Sequence, residues 1–356
     1  MRRSSVGQAE IDRQTASERL GAGALALRQL IRVILDITRP QNSGLPGITQ
    51  DNHPLVLEAA TPESQHPAVK LPPLGLLLCT ASLLGLAPRA SAAADLEVKS
   101  FHSAILGREE TIRVLLPPGY RDPKNAAQAY ATMYLLDGGK VLGTRPGDMN
   151  LTDALVRLVA SGRIEPIIIV AVEEFPEDGG RRDEYLPYRD PMVAPHAPEP
   201  HGKVFPEFLV TELLPYVSGL YRVTPDPRKT GIGGLSYSGI AALYALINKP
   251  ATFQLALIES PSLQSGNGQL LRDTEHLILA GKRVAVGIGT MEGGKSIDPS
   301  LNKLGVQIVG ALVANLKAAY IPPEVRFTVD EGASHEASAW MRRIPDDFVF
   351  LFGTEH

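Results

Sequence analysis

Lys229-Thr230-Gly231-Ile232-Gly233-Gly234-Leu235-Ser236-Tyr237-Ser238-Gly239-Ile240, running on into Ala241-Ala242-Leu243-Tyr244-Ala245-Leu246, is the stretch that decides the fold. It reads as a short strand, a glycine-rich turn holding a serine, and then a helix. That is the context of a nucleophile elbow. The tight turn lifts the hydroxyl clear of the backbone, small neighbours let the chain close around it, and the helix amino end favours developing negative charge. The usual spacing is G-x-S-x-G; here Ser238 takes the last place and Gly239 comes one residue later. A helix N-cap is the alternative role for Ser236. Gly231-x-Gly233 lacks the third glycine of a dinucleotide loop and is not read as one.

Outward from the elbow, apolar runs alternate with helical patterns. Strands are predicted over 112–116, 130–136, 167–172, 230–232, 255–258, 283–288 and 325–329, and helices over 152–160, 206–221, 238–248, 269–279, 301–319 and 337–352. Ile167-Ile168-Ile169-Val170-Ala171-Val172 is apolar at every position, as a central parallel strand buried on both faces requires. The alternation predicts an α/β fold with a mostly parallel sheet and helices on both faces, and places a ligand at the carboxyl ends of the strands.

Those ends were searched for partners of Ser236. A serine needs a base at neutral pH. His335 follows the predicted strand 325–329, whereas His102, His196, His201, His276 and His356 have no comparable position; an ordinary loop histidine is the alternative for His335. Glu292 lies just past the strand 283–288 and fits the chain order Ser…Asp/Glu…His, with Asp298 and Glu259 as rivals. Two amides must meet the oxyanion. Tyr237, after the nucleophile, supplies one, and Gly139 of Leu135-Leu136-Asp137-Gly138-Gly139 is the candidate for the other, although a glycine pair is also an ordinary turn.

Composition narrows the rest. The chain has 356 residues, 44% hydrophobic and 21% charged, with a net charge of −4, so it is globular and has no basic footprint for nucleic acid. One cysteine, Cys79, excludes a disulfide scaffold. Seven prolines between Pro40 and Pro73 mark a linker or sequence that does not fold. Lys70, the apolar stretch Leu71–Leu86 and the A-x-A site before Asp95 then describe a secretory signal, unusually deep in the chain. The expected organisation is a disordered or mis-annotated extension (1–68), with translation starting near Val69. A signal peptide (69–94), cleaved near Ala92–Asp95, and a periplasmic or secreted domain (95–356) follow. Cleavage removes Cys79 and leaves no stable membrane insertion.

With these residues in place, segment 95–356 resembles the α/β-hydrolase family of esterases that includes enterochelin (siderophore) esterases, feruloyl esterases and mycolyltransferases. The likeness rests on Tyr134-Leu135-Leu136-Asp137-Gly138, Arg181-Arg182-Asp183-Glu184-Tyr185-Leu186-Pro187, the run 208–216, the elbow itself, and Gly332-Ala333-Ser334-His335-Glu336-Ala337-Ser338-Ala339-Trp340. It implies the α/β-hydrolase fold, with Ser236 as nucleophile, His335 as base, Glu292 as acid, and Gly139 and Tyr237 as oxyanion donors. It also implies a small-molecule ester substrate, with no cofactor and no metal. Arg182, Glu184, Tyr185 and Trp340 are the expected substrate-binding residues, and Arg181 or Arg182 is a candidate for meeting an anionic siderophore; surface charge on a long loop is the alternative. An acyltransferase or a non-catalytic binding protein on the same scaffold are alternative functions. A separate rival is Gly289-Thr290-Met291-Glu292-Gly293-Gly294-Lys295-Ser296, which fits the phosphate loop G-x-x-x-x-G-K-[ST]. Pro299 interrupts the helix that should follow it.

Overall fold

The structure is a computed structural model and describes residues 95–177, 179–190 and 199–354. The expected extension and signal peptide, and His196 and His356, lie outside the described residues.

Eight strands form one sheet: β1 (Asp95–Ser103), β2 (Arg108–Leu116), β3 (Ala131–Leu136), β4 (Ile167–Val172), β5 (Thr230–Leu235), β6 (Leu255–Glu259), β7 (Arg283–Gly289) and β8 (Glu324–Asp330). Their order is β1-β2-β4-β3-β5-β6-β7-β8. β1 and β2 form an antiparallel hairpin that joins β4 antiparallel, and every pairing from β4 to β8 is parallel. The helices are α1 (Gly138–Val141), α2 (Thr152–Ala160), α3 (Gly180–Tyr185), α4 (the run 205–220), α5 (Tyr237–Asn248), α6 (Gln269–Asp273), α7 (Pro299–Lys317) and α8 (Ala337–Phe352).

β4 shows how the sheet is covered. Ile168, Val170 and Val172 face a core shared with α4, α5 and α7, while Ile167, Ile169 and Ala171 face a second core shared with α1, α2 and α8. All six are buried. A strand with apolar residues on both faces can sit only between two helical layers, which is why this run set the fold class.

Three elements depart from the sequence reading. β1 was not expected, because its alternation is inverted: Leu96 and Val98 point outward while Glu97, Lys99 and Phe101 are half-buried. Glu97 accepts a hydrogen bond from Tyr221, and Phe101 stacks on Tyr216 at 4.4 Å, so the packed side is partly polar. Helix α4 contains a π-helical turn over Leu209–Leu213 just before Pro215. Proline has no N–H to donate and its ring crowds the carbonyl four residues back, which a wider turn relieves. Helix α6 stops at Asp273 instead of reaching Leu279: the Thr274 N–H and hydroxyl both turn back to the Leu271 carbonyl, and His276 takes a left-handed φ of 63°.

The glycines of β5 are set by the neighbouring strand. Met133 of β3 lies opposite Gly231, and a Cβ at Gly231 would stand 2.6 Å from the Met133 sulfur. Gly231→Ala is therefore expected to cost about 1–3 kcal/mol by overpacking. Met133→Ala in the same chain should remove that clash, so chemical denaturation of the double mutant should give less than the sum of the single losses. Strictly additive losses would contradict this account.

Candidate active site

The elbow is built as the sequence suggests, with one change of role. Ser236, between β5 and α5, has φ 60° and ψ −120°. An L-residue adopts this backbone at a cost of about 1–3 kcal/mol, and only where the surroundings enforce it. Enforcement is visible: the Ser236 N–H donates to the Glu259 carbonyl at 3.0 Å, and Gly234 leaves no room for a side chain beside the Ser238 carbonyl. The Ser236 side chain makes no capping hydrogen bond to α5. Its hydroxyl instead faces the Ser262 hydroxyl at 3.2 Å, partly exposed.

His335 and Glu292 come together at the same edge of the sheet. The loop after β8 carries His335, and the turn after β7 carries Glu292. His335 Nδ1 donates to Glu292 Oε2 at 2.5 Å, which fixes the tautomer and leaves Nε2 as the acceptor. The other carboxylate oxygen, Oε1, accepts from the Ser260 hydroxyl at 2.7 Å and the Gly289 N–H at 2.6 Å. Burial acts to raise the Glu292 pKa, but the hydrogen bonds from His335, Ser260 and Gly289 outweigh it and hold the carboxyl below its ordinary value. Glu292 thus stays an anion beside the imidazole. Ser236 and His335 are not hydrogen-bonded to each other; Ser262 touches Ser236 and shares one cavity wall with His335 and Glu292.

The rival carboxylates have other tasks. Asp298 caps α7 by accepting the Ser300 N–H at 2.9 Å. Glu259 is fully buried on Arg343, with bonds of 3.0 and 2.6 Å. The rival phosphate loop is not formed, since α7 starts at Pro299, beyond Lys295 and Ser296, and both of those residues are exposed.

The candidate oxyanion loop is clamped to the elbow. Asp137, at the end of β3, has a left-handed φ of 60° and begins α1. Gly138 and Gly139 lie in the first turn of α1 and Tyr237 in the first turn of α5, where N–H groups have no intrahelical acceptor. A Cβ at Gly138 would meet the Ala171 carbonyl at 2.6 Å, so only glycine lets α1 sit this close to β4. The Asp137 carboxylate receives Arg181 Nε and Nη2, both at 2.6 Å, and the Ser238 hydroxyl at 2.7 Å. Arg181 also donates to the Leu235 carbonyl at 3.2 Å. Ser238 in the last place of the elbow motif is thereby explained: it is fully buried, and its hydroxyl joins the elbow to the oxyanion loop.

Three of the four expected substrate-binding residues are instead internal. Glu184 is buried, accepting from Arg108 Nη2 at 2.7 Å and from the Phe175 N–H at 3.1 Å. Tyr185 is fully buried, and its hydroxyl accepts the Asp137 N–H at 3.2 Å. Trp340 is buried, sets its ring edge-on to His335 at 5.0 Å between centroids, and donates Nε1–H to Ser260 Oγ at 3.0 Å. Each lacks the exposure that a ligand contact needs. Arg181 is committed to Asp137. Of the four, only Arg182 stays partly exposed; among the described residues its guanidinium has no hydrogen bond or ion pair, and its carbonyl accepts the Leu186 N–H. Sequence reasoning missed Asp137, Ser260, Ser262 and Arg343; an aspartate before a glycine pair at a strand end was the available signal for the first. Glu174, also missed, brings a buried carboxylate oxygen without a hydrogen-bond partner close to Gly139. Among the described residues no group of three or more His, Cys, Asp or Glu side chains converges as metal ligands would, and no helix is long and apolar enough to cross a membrane.

Two predictions come from these networks. Arg181→Met removes the partner of a buried carboxylate and loosens the oxyanion loop. It should lower kcat on the order of 10²-fold with little change in KM, and reduce stability by about 3–5 kcal/mol. Unchanged turnover in folded protein would exclude the clamp. The second concerns Glu259 and Asp347, the latter on α8: both carboxyls are buried and interact electrostatically, and each keeps one buried oxygen, Glu259 Oε1 and Asp347 Oδ2, without a hydrogen-bond partner among the described residues. Burial raises both, so the pair holds a proton above the usual carboxylate range; Glu184 is likewise pushed up to about 8 by burial. The folded protein keeps protons that the unfolded chain releases near 4.5, so stability falls as pH rises from there towards 8. Asp347→Asn removes one of the two carboxyls, and its Tm should decline less steeply from pH 6 to 9 than that of wild type. Equal slopes would rule this origin out.

Comparison with known proteins agrees with the fold. A family model described as "Putative esterase" matches residues 103–346. Among curated proteins, the chain is 25% identical to the ferri-bacillibactin esterase BesA of Bacillus subtilis over 164 residues, 43% of this chain and 55% of that one. It is 34% identical to the siderophore enterobactin esterase of Emericella nidulans over 100 residues, 27% of this chain and 32% of that one. The match thus spans about half or less of these relatives' own length. Among solved structures, the enterobactin esterase FES from Shigella flexneri aligns with a TM-score of 0.57 at 20% identity, covering 72% of this chain and 59% of that one. The BES protein from Bacillus cereus aligns with a TM-score of 0.57 at 22% identity, covering 72% and 94%. These neighbours share the α/β-hydrolase fold with the present sheet.

Proposed function

Given that the chain belongs to the Putative esterase family, we propose that it hydrolyses carboxylic esters through Ser236, His335 and Glu292. The observation that carries this reading is the pairing of a strained, uncapped serine with an imidazole whose Nδ1 is held by an ionised carboxylate. Ser236 Oγ attacks the ester carbonyl as His335 Nε2 takes its proton, and Glu292 stabilises the imidazolium that forms. The amides of Gly139 and Tyr237 receive the oxyanion. His335 then protonates the departing alcohol, and water, activated by the same imidazole, releases the acyl group. The serine–imidazole bond absent from the free enzyme forms when substrate closes the site, as is common in this chemistry.

Relatives named for ferri-bacillibactin and enterobactin support a siderophore lactone as one ester to test. Export through residues 69–94 is part of the same proposal, and intact-mass measurement of the secreted protein tests it: a mass beginning near Asp95 is expected, and one that includes residues 1–68 excludes it. For the chemistry, Ser236→Ala should lower turnover of p-nitrophenyl esters by 10³-fold or more without loss of folding, and a fluorophosphonate probe should label wild-type Ser236 alone. Retained turnover in Ser236→Ala, or folded wild type that does not label, would favour a non-catalytic binding protein.

A further inference from the structure

A cavity of about 360 Å³ opens beside His335 and Glu292, with Ser262, the hydrogen-bond partner of Ser236, on its wall. Its polar wall is formed by Ser260, Ser262, Gln264, Glu292 and His335, so it begins where the ester would react. Its remaining wall is almost wholly aliphatic: Leu301, Leu304 and Ile308 recur along one face of α7, with Ile288 at the end of β7 and Ile297 in the loop between. No lysine or arginine lines it among the described residues. In the middle of the α7 wall stands Gly305, and a Cβ built there meets nothing within 4 Å. A glycine inside a 19-residue helix weakens that helix. Here it leaves the cavity open where any other residue of the row would fill it.

We propose that this cavity is the subsite for an uncharged aliphatic arm of the ester, about six to eight carbons long. The proposal rests on the Ser236–His335–Glu292 reading and adds a substrate class to it. The size follows from comparison with an apolar cavity of about 150 Å³, which takes a six-carbon ring; this one is more than twice as large. A polyanionic or catecholate group would find no lysine or arginine among the described lining residues, would face the carboxylate of Glu292, and would set many of its polar atoms against leucine and isoleucine. The aliphatic arm belongs to either the acyl or the alcohol half of the ester, and the two halves are separable by experiment.

One series lengthens the acyl half, from p-nitrophenyl acetate through butyrate and hexanoate to octanoate. The other lengthens the alcohol half, from ethyl to hexyl acetate. In one series kcat/KM of the wild type should rise by up to about fourfold per methylene until the cavity is full. Gly305→Leu should cut the ratio of longest to shortest substrate at least tenfold in that series. Gly310→Leu, on the same helix but outside the cavity, controls for the gain in helix propensity and should leave the ratio unchanged. Calorimetry of 1-octanol with Ser236→Ala gives a readout independent of turnover: binding is expected, and loss of it when Gly305→Leu is added. Wild type that hydrolyses acetates but shows no length dependence in either series overturns the subsite and leaves the triad standing. Octanol binding in protein that hydrolyses no ester overturns the triad and leaves the apolar site. Absence of both overturns the two together.

Discussion

A single buried carboxylate holds the reactive end of the molecule together. Asp137 is 2% exposed, and a charge so placed is tolerated only when fully paired. Its partners come from two separate parts of the chain: Arg181 and, at its backbone, the Tyr185 hydroxyl from α3, and the Ser238 hydroxyl from α5. Satisfying that charge forces the turns after β3 and β5 side by side, and those turns carry the proposed oxyanion amides and the serine. The electrostatic need of one side chain thereby orders groups that never touch it.

A second network works under the other half of the site. Glu292 is oriented through Ser260, and Ser260 through Trp340 and Arg343, which belong to the helix following His335. Arg343 is anchored on Glu259, at the end of β6, whose carbonyl also holds the strained Ser236 backbone. The two networks meet at the ends of β5 and β6. The cavity beside them shares Ser260, Glu292 and His335 with this network, while its aliphatic side comes mainly from α7, so that side can vary in size while the polar scaffold stays fixed.

The sequence made much of this legible, for identifiable reasons. The apolar run Ile167–Val172 and the strand–turn–helix around Ser236 are local signals, and both fold as local chemistry dictates. Helices over 152–160 and 337–352 have strong apolar periods and lie where expected. β1 was missed because its polar residues lie on the packed side, a choice made by Tyr221 and Arg121 far along the chain. Glu184, Tyr185 and Trp340 were misassigned for a related reason. Charged and aromatic residues near a site suit ligand contact and internal support equally well, and only burial separates the two. Arg181 pairing with Asp137 across 44 residues of chain is invisible to any local pattern.

The Ser260 hydroxyl owns one hydrogen. Trp340 and Arg343 each point an N–H at its oxygen, so that hydrogen is directed to Glu292. Both donors sit on α8, which the ribosome delivers only after every strand of the sheet. Until α8 docks on the sheet, the Ser260 hydroxyl lacks both donors that aim its hydrogen at Glu292.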